Sequence, residues 1–158
     1  MRFLVIAVLI LVFGSFKSDS KLSNNSSRGN DETEKNKELV KRVFTYFASK
    51  RNLSYMDSLY AVNFIDHAAF EGKQRGLAEF KKVVNELSVL FSHIEINIED
   101  IVAEKDVVST RESWKVIRAS DNKPFTGETM HWFRLKDGKI TEEWSKGWEW
   151  VESLMTTH

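Results

Sequence analysis

Between Thr129 and Trp150 the chain reads TMHWFRLKDGKITEEWSKGWEW, two runs divided by a turn. The period-2 rule puts Thr129, His131, Phe133 and Leu135 on one face of the first run, with Met130, Trp132 and Arg134 on the other. Lys136-Asp137-Gly138-Lys139 is a hairpin signal, because Gly accepts the positive φ that tight turns require. The second run, from Ile140 to Trp150, is expected to continue as a strand and carries three of the five tryptophans. The face shared by Phe133 and Leu135 should be buried, so a histidine there conflicts with the pattern. That conflict is the first pointer to function.

Working toward the N-terminus, Asp121-Asn122-Lys123-Pro124 turns the chain into a strand over 125–135, and Val107–Ala119 forms a long strand before it. On that strand Val108, Thr110, Glu112, Trp114 and Val116 share a face. Glu112 is the second conflict, since a buried carboxylate is costly unless it is paired or protonated. A histidine is a natural partner, so Glu112 is expected beside His67 or His131. Ile94, Ile96 and Ile98 alternate with Glu95, Asn97 and Glu99 as in a half-buried strand. The register slips near Asp100, where a bulge is expected.

The period changes near Ser92. Leu77, Phe80, Val83, Val84, Leu87 and Phe91 mark an amphipathic helix that His93 is expected to end. Leu39, Val40, Val43, Phe44 and Phe47 mark a first helix running to about Lys50, and Asn52-Leu53-Ser54 opens a short second one. Val62–Ala69 is a short apolar strand with His67 near its end, and 72–76 is a turn. Three helices followed by long antiparallel strands make an α+β pattern.

The 158 residues fit one domain, 34–152, with a tail at 153–158 and an N-terminal appendage. Residues 21–33 are rich in Ser and Asn and read as a disordered tether. Arg2 precedes the apolar run Phe3–Phe13, which is too short to cross a bilayer core of about 30 Å. Residues 1–20 are therefore expected to be a signal peptide for a secreted or periplasmic protein, with an uncleaved anchor as the alternative. The absence of cysteine excludes both disulfides and a sulfur-linked lipid anchor. Of 23 basic residues Arg2 and Lys17 fall in the signal, and of 23 acidic ones Asp19, leaving 21 against 22. That balance provides no basic field for nucleic acid or anionic lipid.

The order helix, helix, FIDH strand end, EGKQRGLAEF, IEDIVAEKDVV and HWFRLKDGKITEEW resembles the SnoaL-like polyketide cyclases (ester cyclases), of the nuclear transport factor 2-like superfamily. The resemblance spans about residues 36–150. It implies a cone-shaped barrel: a strongly bent antiparallel sheet wrapped around three N-terminal helices and enclosing an apolar pocket. It also implies a likeness to ketosteroid isomerase. His131 would stand where the isomerase keeps an oxyanion-stabilising acid, His67 would be the general base, and Glu112 would orient an imidazole. Val43 or Phe44 falls where the isomerase has a first-helix tyrosine. Ser145 falls where the cyclases have a catalytic aspartate. Tyr60, Phe64, Trp114, Phe133, Glu143 and Ser145 would contact a small, largely apolar ligand, and homodimers are expected. No cofactor is expected. Two histidines with Glu112 could make a three-ligand metal set, but no ligand spacing points to one. Function is thus expected to be proton-transfer chemistry (cyclase, isomerase or hydrolase-like) on a carbonyl compound. The alternatives are a non-catalytic ligand-binding module and a dimerisation module of the same fold.

Overall fold

A computed structural model describes residues 21–49, 53–67 and 74–156. The expected signal peptide, the ends of the turn and strand around 68–73, and His158 lie outside them. The elements run α1 (Lys21–Ser49), a single 3-10 turn (Leu53–Tyr55), α2 (Met56–Leu59), β1 (Tyr60–Asp66), β2 (Arg75–Gly76) and α3 (Leu77–Leu90). Then follow β3 (Phe91–Glu104), β4 (Val107–Arg118), β5 (Pro124–Lys136), β6 (Lys139–Lys146) and α4 (Glu149–Thr156). Among the described residues no helix is long and apolar enough to cross a membrane.

The six strands form one curved sheet in the order β2-β1-β6-β5-β4-β3, with α1 packed across β3 and β4 and α3 against β1 and β3. The α+β class and the bent sheet are as expected. The sheet is open rather than closed, with β2 and β3 at its edges, and one pairing is parallel: β1 joins β6 with Asp66 opposite Glu143. The other long pairings are antiparallel. The expected bulge falls between Ile98 and Asp100, where the β3–β4 register shifts. The β5–β6 turn places Asp137 at φ 52° and Gly138 at φ 71°.

Four boundaries differ from the sequence reading. The helix α1 begins at Lys21 and takes in the expected tether. From Gly29 to Lys35 that part carries exposed or half-exposed side chains and is tied by local contacts such as Lys35 Nζ to Asp31 Oδ2 at 2.6 Å. His93 does not end α3. The helix stops at Leu90, Phe91 is already extended, and His93 pairs with Ile117 in β3. Phe91 and Ile94 are both buried, so tertiary packing claims this segment for the sheet. The strand expected to reach Trp150 ends at Lys146. Gly147 has φ 91°, and a Cβ there would meet the Glu128 carbonyl at 2.5 Å, so only glycine makes this turn. The chain then enters α4, and most of the expected tail is helical. Trp150 packs beside Phe91 and over Gly127, where a Cβ would collide with the indole.

The candidate site on the inner sheet face

Along β4 every second residue from Val108 to Val116 is buried, and along β5 Thr129, His131, Phe133 and Leu135 are buried, as the alternation requires. Register places Glu112 opposite Thr129, Thr110 opposite His131, and Phe133 opposite Glu143 of β6. Polar side chains from three strands therefore meet on one inner face.

Glu112 is fully buried, and its Oε2 accepts hydrogen bonds from Thr129 Oγ1 at 2.7 Å and His131 Nδ1 at 2.9 Å. Trp114 Nε1 donates to Thr129 Oγ1 at 2.7 Å, which commits the hydroxyl proton to Glu112. A carboxylate only accepts, so the bond fixes the neutral imidazole as the Nδ1–H tautomer with a lone pair on Nε2. Phe133 stacks on the imidazole at 5.6 Å, and Phe44 meets it edge-on at 5.4 Å. The ring is thus held on every side but one.

That side faces Glu143, whose Oε1 is 3.7 Å from His131 Nε2, beyond direct hydrogen bonding. Burial pushes the Glu143 carboxyl well above its usual range, and the charges of Asp66 and Glu112 add to the shift. The Tyr60 hydroxyl, 3.4 Å from Glu143 Oε2, works against it more weakly. Tyr60 is itself pushed up, first by burial and then by Glu143, and stays a neutral phenol. Asp66 lies at the same wall with Arg75 Nε 3.8 Å from its Oδ2. His131 Nε2 and a carboxyl held well above its usual range thus face one another across a gap.

The gap opens on a cavity of about 40 Å³ lined by Val43, Phe44 and Phe47 of α1, Phe80, Val84 and Leu87 of α3, and Trp148. Trp114, His131, Phe133, Glu143 and Ser145 also line it. Phe64 does not. It packs on Tyr60 at 4.7 Å and Phe80 at 5.3 Å within the core. Tyr60 reaches the site only through Glu143. Among the described residues no group of three His, Cys, Asp or Glu side chains is disposed to hold a metal ion.

His67 is not brought to the site. Its ring lies flat on Trp144 at 4.3 Å, its Nε2 is 2.8 Å from Glu142 Oε2, and Gln74 Nε2 is 3.0 Å from its Nδ1. Tyr60, Phe64 and Asp66 are the buried residues of β1, and His67 has the opposite parity. The carboxylate one position earlier, Asp66, therefore occupies the wall expected for His67. Arg134 pairs with Glu142 at 3.1 Å and Arg111 with Asp100 at 2.8 Å, so both serve the outer face. The three late tryptophans part company. Trp144 stacks under His67, Trp150 packs in the core, and Trp148 lines the cavity with its Nε1 donating to Ser145 Oγ at 2.8 Å. Asp66, Trp148 and the aromatic residues of α1 were missed by sequence reasoning. Only Asp66 had a local signal, its shared parity with Phe64.

A family model described as SnoaL-like polyketide cyclase matches residues 38–147. Among solved structures the chain is similar to IdmH, a candidate polyketide cyclase from Streptomyces antibioticus. There the identity is 19% and the TM-score 0.66, over 77% of this chain and 99% of that one. A candidate polyketide cyclase from Bacillus cereus gives 21% identity and a TM-score of 0.67 over 78% of this chain and 83% of that one. AclR from Streptomyces galilaeus, a candidate hydroxylase, gives 16% and 0.68 over 79% and 83%. At these identities the likeness is one of fold. No curated protein matches the chain.

Proposed function

The chain belongs to the SnoaL-like polyketide cyclase family, and from its site we propose that it is a cofactor-independent acid/base enzyme that enolises a small, largely apolar carbonyl compound. The single observation that carries this reading is His131, clamped through Nδ1 by a fully buried Glu112 and presenting Nε2 to a cavity wall that holds Glu143. His131 Nε2 takes the proton from the carbon next to the carbonyl. The electron pair of that C–H bond becomes the new carbon–carbon π bond, and the carbonyl oxygen takes the proton of Glu143. The imidazolium proton then goes either to the far carbon of a conjugated dienol, which is isomerisation, or to the alkoxide formed when the enol carbon attacks a second carbonyl and closes a ring. In both cases the enol hydroxyl returns its proton to Glu143 as the carbonyl re-forms. Burial, and then the charge of Asp66, holds the Glu143 carboxyl well above its usual range, and Glu112 acts only through His131.

The test is exchange of the methyl protons of acetophenone in deuterium oxide, followed by proton NMR with wild type and Glu112→Gln. Exchange above the buffer rate that falls by about ten- to a hundred-fold in the variant supports the reading. Exchange no faster than buffer for acetophenone and for larger aryl ketones would leave a non-catalytic binding module. The small cavity favours instead the dimerisation module of the same fold, because a chamber of about 40 Å³ is nearly filled by its own walls. The reading also keeps the protein exported, on residues 1–20.

A further inference from the structure

We propose that Phe44 is a gate between the polar chamber and a second ligand subsite, the apolar groove between α1 and β3. The ligand would be an elongated, flat apolar molecule with its carbonyl at one end. The carbonyl end rests on the function proposed above, whereas the groove and gate rest on geometry.

Phe44 lines two spaces: the chamber of about 40 Å³ at His131, and an open groove of about 480 Å³ between α1 and β3. A cavity of about 150 Å³ is what a single benzene ring occupies. The chamber as it stands therefore admits no ring, while by the same measure the groove has room for about three. Ile96, Ile98 and Ile101 form its floor, Ala48 its wall, and Lys41 and Asn97 give it a polar rim. These isoleucines stay half-buried because β3 is the sheet edge.

The register joins groove to chamber. Ile101 lies opposite Thr110, Thr110 opposite His131, and His131 opposite Ser145, so one cross-strand row runs from the groove floor to the proposed base. In the next row Ile98 lies opposite Glu112. In these rows Thr110 Oγ1 and Glu112 Oε1 are buried without a hydrogen-bond partner among the described residues, as is Trp150 Nε1 outside them. Buried polar groups are otherwise almost always paired, so the two orphans behind Phe44 would gain a partner from a polar ligand end once its ring moves. Phe44 is held there by ring-edge contacts to His131 and Phe133, at 5.4 and 6.0 Å, and can turn aside without unpairing a polar group. The ring body then lies in the groove, and the carbonyl oxygen meets the Thr110 hydroxyl on its way to His131.

The experiment measures binding without turnover, by equilibrium dialysis of the whole chain against acetophenone and acetylanthracene, one ring and three. Acetylanthracene should bind wild type the more tightly. Thr45→Trp, at an exposed position on the groove wall, and Ile98→Trp on its floor should each weaken acetylanthracene by about ten-fold or more, and acetophenone by less than about two-fold. Phe44→Ala should speed acetylanthracene association, and Thr110→Val should weaken both ketones while leaving the denaturation midpoint unchanged or higher. Equal affinity of wild type for the two ketones, indifference of acetylanthracene to both tryptophan variants, or no binding of either ketone would overturn the groove. Groove-dependent binding without proton exchange would sink the catalytic reading and leave the groove standing. Exchange with groove-independent binding would do the reverse.

Discussion

Replacing Glu143 by Gln keeps the side-chain shape and removes its ionisation, which isolates the feature that makes it an acid. Its folded-state carboxyl is pushed well above the usual range, first by burial and then by Asp66. An unfolded glutamate titrates near pH 4.3. Because the folded value is the higher one, the group's contribution to stability is complete below about pH 4.3 and is lost as pH rises through the folded value. One proton gives a slope of at most about 1.4 kcal/mol per pH unit. Wild type should therefore lose stability relative to Glu143→Gln at up to about that slope from about pH 4.3 upward, until the folded group ionises. The charges of Asp66 and Glu112 act on it, so the difference counts the proton held by the cluster rather than by one residue. Urea denaturation of both proteins at a series of pH values and constant ionic strength measures this difference directly. Stability curves that run parallel across the series would refute the reasoning, because Glu143 would then carry no more proton folded than unfolded.

His131→Phe fits a ring between Phe44 and Phe133 but leaves the fully buried Glu112 with Thr129 alone, and should cost about 3 kcal/mol in urea denaturation. Adding Glu112→Gln should recover most of that loss, and additive single effects would show that the pair is not coupled. Gly127→Ala drives a Cβ into the Trp150 indole and should lower stability by about 1–3 kcal/mol, measured by thermal unfolding, with an unchanged midpoint as the contrary result. N-terminal sequencing of protein recovered from outside the cytoplasm should begin between about Ser15 and Lys21, and soluble cytoplasmic protein that retains Met1 would sink the export proposal.

The polar pair was legible in the sequence because β4 and β5 alternate cleanly. Glu112 among Val108 and Trp114, and His131 beside Phe133, each break a pattern that is otherwise kept, and such breaks are expected where function overrides packing. The bulge before Asp100 was legible for the same reason. His67 was misplaced because 62–69, VNFIDHAA, mixes polar and apolar residues without clean alternation, so the run by itself leaves open which of Asp66 and His67 faces inward. The parity of β1 comes instead from its parallel pairing with β6, a contact between residues far apart in sequence. Extending β6 to Trp150 ignored Gly147, where a backbone approach to Glu128 turns the chain into α4 and brings Trp148 to the cavity. The aromatic walls from α1 and α3 follow from how the helices cross the sheet, which no local pattern encodes.

The most direct test of the central claim, a histidine held by Glu112 so that one nitrogen stands bare in the cavity, is the tautomer of His131. Nitrogen NMR of isotope-labelled histidine in the unliganded protein, with the signal assigned by loss in His131→Phe, reads the two ring nitrogens separately. The account predicts that the neutral ring carries its proton on Nδ1, with the resonance passing to the other tautomer or to a mixture in Glu112→Leu, which has no acceptor. A neutral His131 protonated on Nε2 in the wild type would contradict it.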